Sequence, residues 1–394
     1  MKAQLAKYLR SIRTPGSVDV MIHVSSAFDG GNIEVVSANK ADDIQLRIRK
    51  DNASEFFQWF YFRVSGAREK LCRIRIINAG EASYADGFRD YKACMSEDLR
   101  DWRRVDTSYD GQELTINYKP SSDSFYIAFF APYSLDQQRR FVARCQRNPL
   151  ASLEVIGHTV EGRDLDLLVI GSSGASKKVC WIIARQHPGE TMGCFWMEGF
   201  LGRLLDSADT DVLKVRESAV FYIVPNMNPD GSARGNLRTN AAGANLNREW
   251  AKPSKSRSPE VFAVRNRMVE TGVDFCLDVH GDETIPYNFI SGADHVPSAD
   301  TRMKQLLIDF NNALLHFSPD FQTDHGYPTS FQANLSICAS NVAESFKCLS
   351  MTLEMPFADH NNRKDNIRGW SPERCRNLGG DCLKAISSII PSLR

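Results

Sequence analysis

Between about Met21 and Tyr133 the apolar positions recur every second residue. Ile44, Leu46 and Ile48 alternate with Gln45 and Arg47, and Ile74 and Ile76 alternate with Arg73 and Arg75. Phe56–Val64 is rich in aromatics, Leu114–Tyr118 and Phe125–Phe130 follow, and Gly or Ser-Ser-Asp turn signals separate several of these runs. Period-two alternation marks strands with one buried face, and many short strands at this spacing predict an antiparallel β-sandwich over residues 21–133. Trp59 and Phe60 read as part of its core.

The pattern then changes. Ser134-Leu-Asp-Gln137 reads as a capping box opening a short basic helix with Arg139, Arg140 and Arg144, so 134–150 is expected to be a linker helix. From 151 to 394 apolar runs alternate with helical periodicity. Strands are predicted at Leu165–Ile170, Val179–Gln186, Ala219–Pro225, Val273–His280 and Cys348–Met355. Helices are predicted at Thr191–Leu205, Pro259–Glu270, Ala299–His316 and Ser371–Ile390. Such alternation predicts an α/β domain, a sheet flanked by helices with its site at strand ends.

Composition narrows the function classes. Lys plus Arg and Asp plus Glu both number 48, so the formal net charge is zero and bulk charge favours neither nucleic acid nor membrane as a partner. Ten cysteines occur without a Cys-x-x-Cys pair, several inside apolar runs (Cys180, Cys276, Cys348), which suggests packed, reduced thiols in a cytoplasmic protein. Residues 1–20 carry Lys2, Lys7, Arg10 and Arg13 without the apolar core of a secretory signal, and are expected to be a flexible lead.

Three places in the α/β half carry chemistry. Val179–Gln186 is a buried-strand pattern ending in His187-Pro-Gly-Glu190, where an imidazole and a carboxylate converge across a tight turn. Val273–Val279 is a second such strand, ending in His280. A close ligand pair plus one distant His is the three-ligand pattern of a catalytic zinc, one ion per chain. Between them, Pro225–Trp250 is long, irregular and rich in Gly, Asn and Pro, with Arg238 and Arg248 as charged anchors; a guanidinium fork there suits a peptide's terminal carboxylate. Glu354 lies inside the apolar run Leu349–Phe357, where an unpaired carboxylate is costly unless it has a partner or a proton to move.

In motif order, His187-Pro-Gly-Glu190, Asn228-Pro-Asp-Gly231, Gly235-Asn-Leu-Arg238, Asn247-Arg248, Asp278-Val-His-Gly281 and Thr352-Leu-Glu354 resemble the zinc metallocarboxypeptidase family, in particular its cytosolic carboxypeptidase branch. That branch also carries a β-rich segment ahead of its catalytic domain, so the resemblance spans nearly the whole chain. It implies a mixed sheet flanked by helices. It implies that His187, Glu190 and His280 hold zinc and that Glu354 is the general base and acid. Arg238 would polarise the scissile carbonyl, while Asn247 and Arg248 would bind the C-terminal carboxylate of a peptide or protein substrate.

Three positions depart from the family pattern. Asn245 stands where most members have the Asp that orients the first zinc His, Gly189 lacks the Arg of the digestive members, and their mobile tyrosine has no clear counterpart, Tyr327 being the nearest residue. Relatives in this branch often remove acidic residues such as Glu, which needs a basic group in the side-chain pocket; Lys347 and Arg234 are the residues considered for it. A zinc deacylase of N-acyl amino acids and a silent peptidase-fold binding module stay open as other readings, and nothing in the sequence sets the oligomeric state.

Overall fold

The alternating pattern ahead of residue 133 folds into two five-stranded sheets. The computed structural model describes residues 21–394 except 173, 175 and 329–331, so the expected lead over 1–20 lies outside the described residues. One sheet runs β1 (His23–Ser25), β4 (Tyr61–Ser65), β10 (Ser124–Ala128), β6 (Cys94–Ser96) and β7 (Arg103–Arg104), antiparallel throughout. The other runs β2 (Glu34–Lys40), β3 (Asp43–Arg47), β5 (Cys72–Ile76), β9 (Leu114–Tyr118) and β8 (Asp106–Tyr109). It is antiparallel but for the parallel pair β3–β5. Register sets Ile44 beside Ile74 and Leu46 beside Ile76, and Ile74 beside Ile116, so the alternating apolar residues form one buried wall.

Helix α1 (Leu135–Cys145) opens with the expected capping box. The Ser134 hydroxyl accepts the Gln137 N–H at 3.1 Å, and the Gln137 amide oxygen accepts the Ser134 N–H at 2.9 Å.

The second half is a seven-stranded mixed sheet in the order β11 (Ala151–His158), β12 (Asp164–Ile170), β14 (Ala219–Val224), β13 (Lys178–Ala184), β15 (Phe275–Val279), β17 (Leu349–Glu354) and β16 (Phe289–Gly292). The four central strands are parallel and the outer ones antiparallel. Helices α2 (Met192–Leu204), α6 (Thr301–Phe317) and α8 (Pro372–Ile389) cover one face together with Ile182, Phe221 and Leu277. Helices α5 (Pro259–Thr271) and α7 (Cys338–Phe346) cover the other with Trp181, Ile183 and Cys276. Burial on both faces explains why these strands read as continuous apolar runs.

The five predicted strands and four predicted helices match within a few residues. Helices α3 (Thr210–Ser218), α4 (Pro229–Arg234, inside the stretch read as an irregular loop) and α7 and the edge strands β11 and β16 were not anticipated. Strand β11 lies on an outer edge with Ser152, Val155 and His158 exposed and its other residues only half-buried, so it carries little apolar signal.

The two halves share one continuous core. Phe129 stacks on Phe357 at 4.5 Å, and Arg104 donates to the Phe357 and Trp370 carbonyls at 2.7 and 3.2 Å. All ten cysteines are free and buried, and among the described residues no helix is long and apolar enough to cross a membrane.

Candidate active site

Parallel strands β13, β15 and β17 lie side by side, so the chemistry-bearing residues that end them emerge at one edge, the carboxyl end of the sheet. Past β13, Arg185 takes a left-handed turn (φ 59°) and the chain bends through His187-Pro-Gly into Glu190, just ahead of α2. His280 follows β15, and Glu354 is the last residue of β17.

The three expected ligands converge. His187 Nδ1 lies 2.6 Å from Glu190 Oε1 and His280 Nδ1 lies 2.8 Å from Glu190 Oε2, with the two Nδ1 atoms 3.2 Å apart. All three side chains are buried, and among the described residues they form a group whose donor atoms lie within 4.8 Å of one another. Two imidazole nitrogens and a carboxylate turned toward one point are a donor set suited to zinc.

A second layer fixes the rings. His280 Nε2 donates to Asp278 Oδ2 at 2.9 Å, and that oxygen also takes the Gln186 amide at 2.6 Å. Trp250 in turn donates to the Gln186 oxygen at 2.9 Å. His187 Nε2 lies 3.0 Å from Asn245 Oδ1, so the amide oxygen does the orienting at the position where the family pattern has Asp. The tautomers are assigned from these partners, each leaving Nδ1 inward. Burial, and then Arg238, pushes His187 down to about 4. Burial also opposes charge on His280, but Asp278 and Glu190 outweigh it and hold that ring well above its ordinary value. The Glu190 carboxyl is drawn well down by both imidazoles against its own burial.

Glu354 faces the same space. Burial pushes its carboxyl well above the usual range, and the nearby Glu190, Asp282 and Glu283 carboxylates add to this while His280 opposes it. Its Oε1 lies 3.2 Å from the Tyr327 hydroxyl oxygen and its Oε2 has no partner. The Tyr327 hydroxyl donates to Asp282 at 2.7 Å, which brings the unassigned tyrosine into the site.

His187, Glu190, His280, Glu354, Arg238, Asn247 and Arg248 all line one cavity of about 500 Å³. Arg238 lies over the rings of Phe56 and Tyr84, 5.6 and 5.3 Å from their centroids. Asn247 commits its oxygen to the Cys338 N–H at 2.8 Å, leaving its amide N–H groups to donate. Arg248 stands exposed at the mouth and donates to the Asn247 carbonyl at 2.7 Å. At Gly189 a Cβ would lie 3.0 Å from the Leu237 carbonyl oxygen, so a side chain there requires the Leu237 loop to give by a few tenths of an ångström. Arg234 is ion-paired with Glu161, and Lys347 caps α7; neither lines the cavity. Sequence reasoning missed Tyr84, Asp282 and Glu283. The two acids follow His280-Gly281 directly and carried that much signal; Tyr84 carried none.

The family model of the zinc carboxypeptidases matches residues 141–368, and the model of the cytosolic carboxypeptidase N-terminal domain matches 24–130. The chain belongs to the zinc carboxypeptidase family. A metallo-carboxypeptidase from Burkholderia cenocepacia is 46% identical, with a TM-score of 0.92 over 94% of this chain and 99% of its own. One from Pseudomonas aeruginosa, solved in complex with (2-guanidinoethylmercapto)succinic acid, is 40% identical with a TM-score of 0.91, covering 94% of this chain and all of the other. Mouse cytosolic carboxypeptidase 6 is 29% identical over 68% of this chain, which spans 54% of that relative's length. The carboxypeptidase fold therefore includes the β-rich domain, whose Tyr84 forms part of the cavity wall.

Proposed function

We propose that this carboxypeptidase hydrolyses the last peptide bond of peptides or proteins with one zinc held by His187, Glu190 and His280. The observation that carries the reading is the convergence of these three donors on a cavity also lined by Glu354 and two arginines. Zinc there supplies a Lewis acid for the scissile carbonyl and the attacking water. Glu354, with one carboxylate oxygen free, takes the water's proton and passes it to the leaving amine. Arg238 stabilises the oxyanion, and Asn247 and Arg248 hold the terminal carboxylate so that the last bond faces His187, Glu190 and His280.

Beyond Tyr327 and Thr352 the cavity adjoins a second of about 560 Å³, which shares Ser291, Tyr327, Ile337 and Thr352 with it and receives the last side chain in this reading. For acidic residues such as Glu the basic groups on its wall are His295 and His325, beside the carboxylates Asp294 and Asp324, so the expected preference for Glu over Gln is modest. The buried, reduced thiols support a cytoplasmic setting.

Elemental analysis should find about one zinc per chain. Mass spectrometry of peptides differing only in their last residue should show single-residue removal that stops on chelation and returns with zinc. Less than a tenth of an equivalent of metal that zinc addition does not raise, or internal cleavage, would overturn the proposal. Because the Pseudomonas aeruginosa relative was solved with (2-guanidinoethylmercapto)succinic acid, that dicarboxylate should compete with substrate here.

A further inference from the structure

The loop that carries Arg238 takes many of its hydrogen bonds from residues nearly two hundred positions earlier in the chain. Asp51 is 3% exposed, and its carboxylate accepts the N–H groups of Leu237, Arg238 and Thr239 at 2.6, 2.8 and 2.9 Å and the Thr239 hydroxyl at 3.1 Å. Asn52 donates to the Ala241 carbonyl at 2.7 Å and accepts the Asn236 amide at 2.7 Å, while Asn32 donates to the Gly235 carbonyl at 2.9 Å. At two glycines the backbones themselves also meet. A Cβ at Gly235 (φ 70°) would lie 2.7 Å from the Gly31 carbonyl oxygen, and one at Gly243 (φ 72°) would lie 2.4 Å from that of Ala53.

Leu237 connects this grip to the metal ligands. Its N–H is held by Asp51, and its carbonyl accepts the N–H of Gly189, between His187 and Glu190. One residue therefore bridges the β-rich domain and the ligand turn. The guanidinium of Arg238 is covered by the faces of Phe56 and Tyr84, and its Nε has no hydrogen-bond partner. Aromatic faces hold a cation without using its N–H groups, which keeps them available for a developing oxyanion. A bidentate carboxylate partner would occupy the same donors. The Tyr84 backbone is itself fixed by a two-way bond with the Gln58 amide, at 2.8 and 3.0 Å.

We infer that the β-rich domain is a working part of the catalytic centre: Asp51 sets the backbone from which Arg238 projects, and Phe56 and Tyr84 fix its guanidinium over the cavity. Asp51 is a positioning residue, acting through Arg238, and the inference rests on the oxyanion role given to that arginine above. A buried carboxylate facing only backbone and hydroxyl donors is costly scaffolding. It is suited to holding three consecutive peptide N–H groups at fixed angles, since all of them must point at one acceptor.

The test is a double-mutant cycle on peptides with a randomised last residue, with zinc content and Tm measured for each variant. Asp51→Asn turns one acceptor into a donor facing donors. It should lower kcat by about a hundredfold, the scale of a misplaced catalytic group, with KM little changed. In an Arg238→Ala background the same change should alter kcat by no more than about twofold. Tyr84→Leu, on the cavity wall, should cost roughly fivefold in kcat and likewise lose its effect once Arg238 is absent. If Asp51→Asn fails to fold, the Tyr84→Leu cycle decides. Losses that multiply undiminished in the Arg238→Ala background would overturn the inference and leave Asp51 as scaffold only. An unchanged kcat in Arg238→Ala alone would overturn the oxyanion role of Arg238, and the inference with it.

Discussion

Replacing Asn245 with Asp tests how the second layer tunes the metal site. In the structure Asn245 Oδ1 lies 3.0 Å from His187 Nε2 and accepts the Asn247 N–H at 3.1 Å. Asp keeps that oxygen in place and adds charge, turning a neutral hydrogen bond into a carboxylate–imidazole pair of the kind His280 already has with Asp278 at 2.9 Å. Outer partners of ligating histidines change metal affinity by about 10- to 100-fold. Asn245 is half-buried, and solvent weakens the new charge, so we expect the lower end: zinc about tenfold tighter, or about 1.4 kcal/mol. Asn245→Ala removes the oxygen, leaves the His187 N–H without its partner, and should weaken zinc by a comparable factor. Zinc dissociation constants measured at pH 7.5 by competition with a chromophoric chelator read both changes. If Asp binds zinc no tighter than wild type and Ala binds it no more weakly, Asn245 is not the group that orients His187.

Three further outcomes follow from the geometry. Glu354→Gln should retain zinc yet lose at least about a hundredfold in kcat, the usual cost of removing a general base; unchanged turnover with zinc bound would contradict its role. Arg248→Ala should lower kcat/KM for free-acid peptides by roughly 10- to 100-fold while barely affecting amidated ones, and Lys should restore only part of it because a point charge lacks the guanidinium fork. A wild-type enzyme that cuts both peptide types equally would exclude Arg248 as the carboxylate anchor. Away from the site, burial pushes Glu260 up to about 7; its Oε2 accepts the Asn240 amide at 3.1 Å and its Oε1 has no partner. Between about pH 4.5 and 7 the unfolded chain has lost this proton while the fold keeps it, so stability declines as pH rises, by at most about 3 kcal/mol. Glu260→Gln should abolish that decline, raising Tm relative to wild type at pH 8 and not at pH 4.5; parallel Tm profiles would refute the assignment.

Much of the site was legible because its signals are local. A buried strand advertises itself by a continuous apolar run, and a polar residue at its end stands out, which is how His187, His280 and Glu354 were found. A carboxylate inside an apolar stretch must be compensated or employed, and that cost is visible without coordinates. The irregular loop announced Arg238 and Arg248 by its composition. Edge strands β11 and β16 escaped because each has one neighbour and partly exposed residues, so the apolar pattern weakens.

The sequence by itself determined the order of the two halves, the central strands of the second half, and which residues are candidates to bind metal and move protons. Those properties depend on side-chain chemistry and on periodicity within a dozen residues. Tertiary structure alone decided that both histidines turn Nδ1 inward, that Asn245 takes up the orienting hydrogen bond, and that Tyr327 reaches Glu354. It also decided that Asp51 and Tyr84, more than 150 positions before Arg238, hold the loop and ring the guanidinium. No local pattern encodes these contacts. They arise where two apolar surfaces close into one core, and the backbone groups caught at the seam must find partners on the other side.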